Sequence, residues 1–403
     1  MTAQLQRSEA EVDLIRTFAD IQPFVMPGKQ SGLIAEHINY VDDYVINNAA
    51  LQLNGQFELL GYTQQIVVTA SHTDANRNND YLAAPEVEGI VMLDDYSAKR
   101  IDTSKRPAFS KSTDDGLFDT TETGLAIATR FQLTDELFTI AGIKFNQYEQ
   151  HIMRSARRQD VSFDENTPTH YSGVLYSISE NITLYSSCTD IYRPHSEKFD
   201  INNKPLDSET ANNIELGFKS PWLNDNLYFT GTYFETKKKD VPQMFLIINS
   251  DRKFAYRQID GAQTTGYEFE TRAHLTNSWQ ISAGYSKFEI ESSDGTEINT
   301  ELPRTLLNMH STYDWKDFTI GVGLQWQDDK TYNAITPQDA SMSNWTGTKF
   351  EENRLTTLDL FAHYNLTEHA KIGLNIKNAT DKTYVAGFDQ TTKRMAEPRN
   401  YSF

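Results

Sequence analysis

The sequence predicts an all-β protein, an antiparallel transmembrane β-barrel. Three observations support this prediction: apolar and polar residues alternate with a period of two, tight turns alternate with long polar segments, and the composition is unusual. Only 38% of the residues are hydrophobic, yet 12% are aromatic. This combination is typical of strands that have one apolar face, one polar face and aromatic girdles at the membrane boundaries. A soluble β-sandwich or β-helix is the alternative fold, and the regular spacing of the turns makes it less favoured.

Alternation is clearest in two segments. In 267–275 and 318–326 every second residue is apolar or small, as in Phe269, Ala273, Ile320 and Val322, whereas the intervening residues include Glu270. No stretch of about 18 apolar residues exists, which excludes a helical membrane span. A transmembrane strand needs only about 9–11 residues, of which every second one can be polar.

Connections of two kinds follow each other without exception. Tight turns are predicted near 59–62, 133–136, 179–181, 222–226, 275–278, 314–317 and 366–369. Long polar segments are predicted near 76–118, 150–166, 190–209, 237–258, 291–302, 328–353 and 380–397. Outer-membrane barrels have short periplasmic turns on one rim and long external loops on the other. The pattern therefore predicts both the fold and its orientation.

The strand count leaves two possibilities open. About fifteen strands are predicted from Asn48 onward, and bacterial single-chain barrels use even numbers. Either the segment 33–45 supplies a sixteenth strand or further strands precede the chain. The N-terminus shows no signal-peptide pattern, so a membrane protein with this sequence is expected to be a fragment of a longer chain.

Charge and composition exclude several functions. A net charge of -19 argues against a nucleic-acid partner, because phosphate binding requires clustered Lys and Arg. The single cysteine, Cys188, excludes an internal disulfide. The sequence shows no Ser/His/Asp or Cys/His pattern, so no enzyme activity is predicted. No catalytic residue, metal ligand or cofactor is assigned.

Several short motifs occur in a fixed order. They are YRP at 192–194, LDSE at 206–209, NIELGFK at 213–219, GYEFE at 266–270, WQISAGY at 279–285, LNIKNATDKTY at 374–384 and EPRN at 397–400. Their order and spacing resemble the C-terminal half of TonB-dependent siderophore receptors. The resemblance covers roughly residues 45–403. Ser208 and Ala396 depart from the family pattern, which has Pro and Gly at these positions.

The resemblance implies a larger protein. The chain would be the C-terminal part of a barrel of about 22 strands, with 1–45 as an incomplete upstream barrel segment and 46–403 as the receptor-like barrel. The plug domain and TonB box of the family are not found. The implied function is TonB-dependent uptake of ferric siderophores across the outer membrane of a Gram-negative bacterium. A 16-stranded porin, which is a passive diffusion channel, is the alternative.

The implied partners are a ferric siderophore, the TonB–ExbB–ExbD complex acting through the missing N-terminal region, and the outer membrane with its lipopolysaccharide. The lysines of 237–239 have two interpretations, contact with lipopolysaccharide phosphates or a solvated strand end. Charged residues of alternating strands, such as Glu215, Lys219, Glu270 and Arg272, are expected to face the lumen, where charge is tolerated. There they would brace the wall and contact the plug.

Five residues are candidates for ligand binding, because aromatic rings and a guanidinium can stack on and hydrogen-bond to a bulky chelate. They lie at the outer strand ends or in the long segments and are Tyr192, Arg193, Trp326, Tyr332 and Trp345. The alternative for these residues is an aromatic girdle or packing between loops.

Overall fold

The structure is a computed structural model, and it is built from β-strands. It describes residues 1–21, 33–83, 109–111, 116–154, 159–195, 198–202, 204–224, 226–246, 254–333, 349–388 and 393–403. The described part of the chain contains no helix capable of crossing a membrane.

The strands are β1 (Thr2–Ile21), β2 (Leu33–Leu59), β3 (Tyr62–Ala83), β4 (Ser110–Lys111), β5 (Gly116–Gln132), β6 (Leu137–Arg154), β7 (Gln159–Ser179), β8 (Ile182–Arg193), β9 (Glu209–Trp222), β10 (Leu227–Lys239), β11 (Val241–Leu246), β12 (Phe254–Ile259), β13 (Gln263–Thr276), β14 (Trp279–Glu291), β15 (Thr305–Trp315), β16 (Phe318–Gln327), β17 (Lys330–Asn333), β18 (Lys349–Glu352), β19 (Leu355–Thr367), β20 (Ala370–Lys377), β21 (Val385–Phe388), β22 (Lys393–Met395) and β23 (Asn400–Ser402).

One antiparallel sheet dominates the fold. Its strands pair with their neighbours in chain order, in the sequence β1, β2, β3, β5, β6, β7, β8, β9, β10, β13, β14, β15, β16, β19, β20, β23. The two-residue β4 adds to β3. Three small hairpins, β11–β12, β17–β18 and β21–β22, lie in the long connections. Within the described residues, β1 and β23 do not pair with each other.

The two faces of the sheet differ in polarity. Residues that pair across antiparallel strands point to the same face. One row across five strands consists of Thr271, Ala283, Met309, Leu324 and Leu358, and the next row consists of Arg272, Ser282, His310, Gly323 and Asp359. We call these the apolar face and the polar face. The apolar face leaves large side chains uncovered, since Ile320 is 50% and Leu216 is 59% exposed.

All seven predicted tight turns are confirmed. The hairpin between β2 and β3 turns at Leu60 and Gly61, whose φ values are 56° and 80°. The other six join β5 to β6, β7 to β8, β9 to β10, β13 to β14, β15 to β16 and β19 to β20. Because the connections on the other rim are much longer, the two rims of the sheet are distinct, as predicted.

The bounds of two long segments were predicted incorrectly. In the predicted segment 76–118, β3 continues to Ala83 and β5 begins at Gly116; in 150–166, β6 ends at Arg154 and β7 begins at Gln159. Polar residues predominate near the outer ends of these strands, so the regular hydrophobic alternation disappears there. The backbone ladder does not depend on that alternation and continues.

The segment 33–45 does not form a separate strand, which corrects that prediction. It is the first half of β2, which pairs without interruption with β1 on one side and, from Ile38 onward, with β3 on the other. The further strand upstream of Asn48 is β1. The division into 1–45 and 46–403 stays a prediction, and β2 passes through that boundary as one continuous strand.

Candidate functional site

The outer end of the polar face, opposite the tight turns, carries the candidate site. Here the strands leave the apolar belt, and their side chains point alternately to the two faces. Arg193, the last residue of β8, is exposed and pairs in register with Glu209, the first residue of β9. Since Glu215 and Lys219 lie on the same side of β9 as Glu209, Arg193 belongs to the polar face.

Tyr192 occupies a different environment from Arg193. Its side chain is half-buried, and its hydroxyl is completely buried without a hydrogen-bond partner among the described residues. Tyr192 pairs with Thr210 of β9. Ser208, two residues before Thr210, donates a hydrogen bond to Glu165 of β7. Tyr192 therefore packs between strands, with only part of its ring accessible.

The other three predicted residues are not brought next to this pair. Trp326 lies on β16, which is separated in the sheet from β8, the strand of Tyr192 and Arg193. The strands between them are β9, β10, β13, β14 and β15. Trp326 alternates with Gln325 and Gln327 and shares the apolar face with Leu324 and Val322. Tyr332 pairs with Phe350 in the β17–β18 hairpin. Trp345 lies outside the described residues.

A group of ionisable residues, two of them buried, holds the connection between β8 and β9. His195 Nε2 lies 3.2 Å from Glu209 Oε2, and Lys238 Nζ of β10 lies 2.9 Å from Glu209 Oε1. The side chains of His195 and Glu209 are only 8% and 9% exposed. Burial lowers the pKa of His195, against the effect of Glu209. Burial alone would raise the pKa of Glu209, but Lys238 and His195 lower it below its ordinary value.

Because of these pKa shifts, we expect the connection between β8 and β9 to open as the pH falls. A buried His195 with a lowered pKa stabilises the folded connection above about pH 6.5, and this stability is lost as the pH falls below that value. Glu209 adds a loss in the same direction below about pH 4.5. We expect amide exchange at Leu206, whose N–H donates to the Lys198 carbonyl oxygen, to accelerate between pH 7 and pH 5. The readout is hydrogen–deuterium exchange corrected for intrinsic rates.

A His195→Gln variant is the control, because its side chain does not titrate in this range. Its Leu206 exchange should change less with pH than that of the unchanged protein. The same acceleration in both proteins would mean that His195 is not the titrating group.

A second group on the polar face was missed by the sequence analysis. Arg77 of β3 lies 5.3 Å from the ring centre of Tyr44 and 5.4 Å from that of Phe118, and its guanidinium pairs with Asp42 at 3.1 Å. Arg154 of β6 lies 5.2 Å from the same Phe118 ring. Cations above aromatic faces are attracted to them. These residues are far apart in sequence, so only the register of four strands reveals them.

Nearer the tight turns, the polar face forms a broad cavity of about 850 Å³. Glu270, Arg272, His274, His310 and Asp359 are among the residues that line it. Glu270 and Arg272 therefore lie on the polar side of the wall, and the expectation that this side faces the lumen stays a prediction. Among the described residues, no three His, Cys, Asp or Glu side chains are grouped so as to hold a metal ion. The chemistry of this face is that of charge and hydrogen bonding.

Comparisons with known proteins agree with this architecture. A family model described as "TonB dependent receptor-like, beta-barrel" matches residues 15–379. The chain is 27% identical over 400 residues to the ferripyoverdine receptor of Pseudomonas aeruginosa, covering 94% of this chain and 46% of the relative. It is 26% identical over 359 residues to the ferric-pyoverdine 358 receptor of Pseudomonas putida, covering 86% and 42%. The chain thus spans less than half the length of these relatives, and neither name denotes an enzyme.

A solved structure gives the same result for the fold. The crystal structure of the ferripyoverdine receptor of the outer membrane of Pseudomonas aeruginosa, bound to ferripyoverdine, superposes with a TM-score of 0.80 at 24% identity. The match covers 99% of this chain and 52% of the other. The predicted barrel wall is confirmed, whereas nothing in the comparisons supports the porin alternative. The chain belongs to the TonB-dependent receptor-like β-barrel family.

Proposed function

We propose that the complete protein is a receptor in the outer membrane of a Gram-negative bacterium and takes up ferric siderophores by a TonB-dependent route. The observation that carries this proposal is the match to two ferric-pyoverdine receptors over 86% and 94% of the chain. The described sheet adds physical support, because it has one exposed apolar face and one charged face. A membrane requires the first face, and a wet lumen tolerates the second.

The proposed route starts at the outer rim. The chelate binds there to groups on the polar face, with Arg193, Tyr44 and Arg77 as candidates and Tyr332 and Trp345 as further candidates in the connections. Arg and aromatic side chains supply charge-assisted hydrogen bonds and stacking surfaces. A plug in the N-terminal region of the complete protein then opens when the TonB–ExbB–ExbD complex acts on it.

The same proposal assigns the lysines of 237–239 to different environments. Lys238 points to the polar face and pairs with the buried Glu209. Lys237 and Lys239 point to the other face, beyond Tyr233, where the outer leaflet and its lipopolysaccharide would lie. Lys237 is paired with Glu235 on its own strand. Lys239 is therefore the main candidate for contact with lipopolysaccharide phosphates.

Deleting the complete gene tests the function. We expect uptake of ⁵⁵Fe from the host's own siderophore, purified from an iron-starved culture, to be lost and then restored by the gene. Uptake that persists without the gene and without any other receptor for that siderophore would contradict the proposal. If the gene encoded a porin, its deletion would instead slow the uptake of small hydrophilic solutes in general.

Arg193→Ala in the complete protein should weaken binding of the chelate roughly tenfold, which corresponds to about 1.4 kcal/mol. Arg193 is exposed on the polar face at the outer rim, in register with Glu209, so its guanidinium can form charge-assisted hydrogen bonds with the chelate. The readout is equilibrium binding of the host's own siderophore loaded with ⁵⁵Fe. Trp326→Phe is the matched control, since Trp326 lies on the apolar face. Equal weakening in both variants would remove Arg193 from the proposed site.

A further inference from the structure

Two tight turns contain a leucine in the left-handed backbone region. Leu60, between β2 and β3, has a φ of 56°, and Leu223, between β9 and β10, has a φ of 53°. This conformation is unfavourable for a residue with a Cβ atom, and turns that need it normally use Asn, Asp or Gly. Both leucines are 68% exposed. Neither turn preference nor packing against the described residues therefore accounts for them.

The turns of four other hairpins are polar. Their two-residue turns are Glu180–Asn181, Asn277–Ser278, Lys316–Asp317 and Glu368–His369. The turn at Leu60 is also open, because a Cβ added to the adjacent Gly61 would meet no atom within 4 Å. A strained residue persists where its surroundings compensate for the strain. For a leucine, the contact that compensates is an apolar one.

Exposed apolar side chains continue down to the rim of the tight turns. Each of the seven strands that lead into these turns has a large apolar residue within one residue of its turn, and each of these side chains is at least 37% exposed. They are Leu59, Leu133, Ile178, Trp222, Leu275, Trp315 and Leu366. Tryptophan is typical of the boundary between acyl chains and headgroups. The edge of the hydrocarbon layer therefore runs along this rim, next to the two turn leucines.

The positions of the two leucines favour lipid over a protein partner. Between β3 and β9 lie β5, β6, β7 and β8, so the two turns are about 24 Å apart along the wall, at about 4.8 Å for each strand. A protein partner binds where several apolar side chains form one patch. Leu60 and Leu223 instead follow directly after Leu59 and Trp222, which extend the apolar face. Lipid surrounds the whole wall, so each leucine can reach it separately.

We propose that Leu60 and Leu223 insert into the phospholipid of the inner leaflet and anchor the rim of tight turns at the boundary between headgroups and acyl chains. The proposal rests on the outer-membrane location under the proposed function. Transfer of the leucine side chains from water to hydrocarbon offsets the unfavourable backbone conformation. The polar turns remain in the periplasmic water, so the rim is anchored at two separate places.

The test is NMR of the complete protein in phospholipid nanodiscs, deuterated and labelled with ¹³C at the leucine methyl groups. We expect nuclear Overhauser effects from the lipid acyl chains to Leu60 and Leu223, comparable to those to Leu216, which is 59% exposed on the apolar face. Loss of the signals in Leu60→Asn and Leu223→Asn assigns them. Leu302, 42% exposed between β14 and β15 on the opposite rim, is the matched control. It should show no acyl contact and should relax faster with a soluble gadolinium chelate.

Three results would overturn the proposal. Acyl contact at Leu216 but not at the turn leucines, together with their relaxation by gadolinium, would place both turns in water and leave the proposed function intact. Turn leucines that are protected from both the acyl chains and gadolinium would be in contact with protein instead, such as the plug. A lack of acyl contact at Leu216 itself would contradict the membrane location, and with it both proposals.

Discussion

Val322→Arg should destabilise the folded barrel by about 2–4 kcal/mol, the cost of a guanidinium on the lipid face near the bilayer midplane. Val322 is the fifth residue of β16 after the turn that precedes Phe318, which places it about halfway through a span of about 9–11 residues. Its side chain is 36% exposed on the apolar face. In the membrane, the side chain at position 322 would contact lipid and no water.

Gln325→Arg is the matched control on the same strand. Gln325 lies on the polar face and lines the cavity of about 850 Å³, so the longer side chain has room and water. The measurement is urea-dependent unfolding of the complete protein in phospholipid bilayers, with the heat-dependent gel shift as a second readout. Similar destabilisation by both substitutions would contradict the assignment of the two faces.

The wall of this protein could be predicted because its two determinants are local. Alternation in residues such as Ile320 and Val322 identifies a strand and its lipid face, and the seven tight turns fix the hairpins that join neighbouring strands. These signals need no contact distant in sequence. The antiparallel meander follows directly from hairpins that join each strand to the next.

The outer ends could not be predicted in the same way. Beyond Ala70 in β3 and Phe145 in β6 most residues are polar, so the residue pattern does not separate strand from loop. The continuous ladder up to Ala83 and Arg154 is decided by backbone hydrogen bonds, which the sequence does not display. Polar runs at the rim therefore predict loops where the structure has strands.

The candidate site shows the same limit. Arg193 and Tyr192 are adjacent in sequence, but alternation separates their environments, so that one is exposed and the other has a buried hydroxyl. Arg77 and Phe118 meet only because β3 and β5 pair in one register. A sequence motif could indicate the first pair. The second pair required the strand pairing itself.

Gly217→Ala should lower the free energy of unfolding by about 1–3 kcal/mol, the usual cost of adding a methyl group to a closely packed site. Gly217 belongs to the NIELGFK stretch and lies on the polar face of β9. An added Cβ would lie 2.5 Å from the carbonyl oxygen of Gly231 and 2.7 Å from the ring of Tyr185. The carbonyl belongs to the neighbouring strand and cannot rotate away.

The Tyr185 ring covers this glycine because its hydroxyl is held 2.6 Å from the Thr232 hydroxyl of β10, across β9. An alanine at 217 would have to move the ring, the β10 backbone or both. Gly284→Ala is the matched control: Gly284 also lies on the polar face, and an added Cβ there meets no atom within 4 Å. Urea-dependent unfolding in bilayers measures both variants. If they lose the same stability, close packing of Tyr185 across Gly217 is not what requires a glycine there.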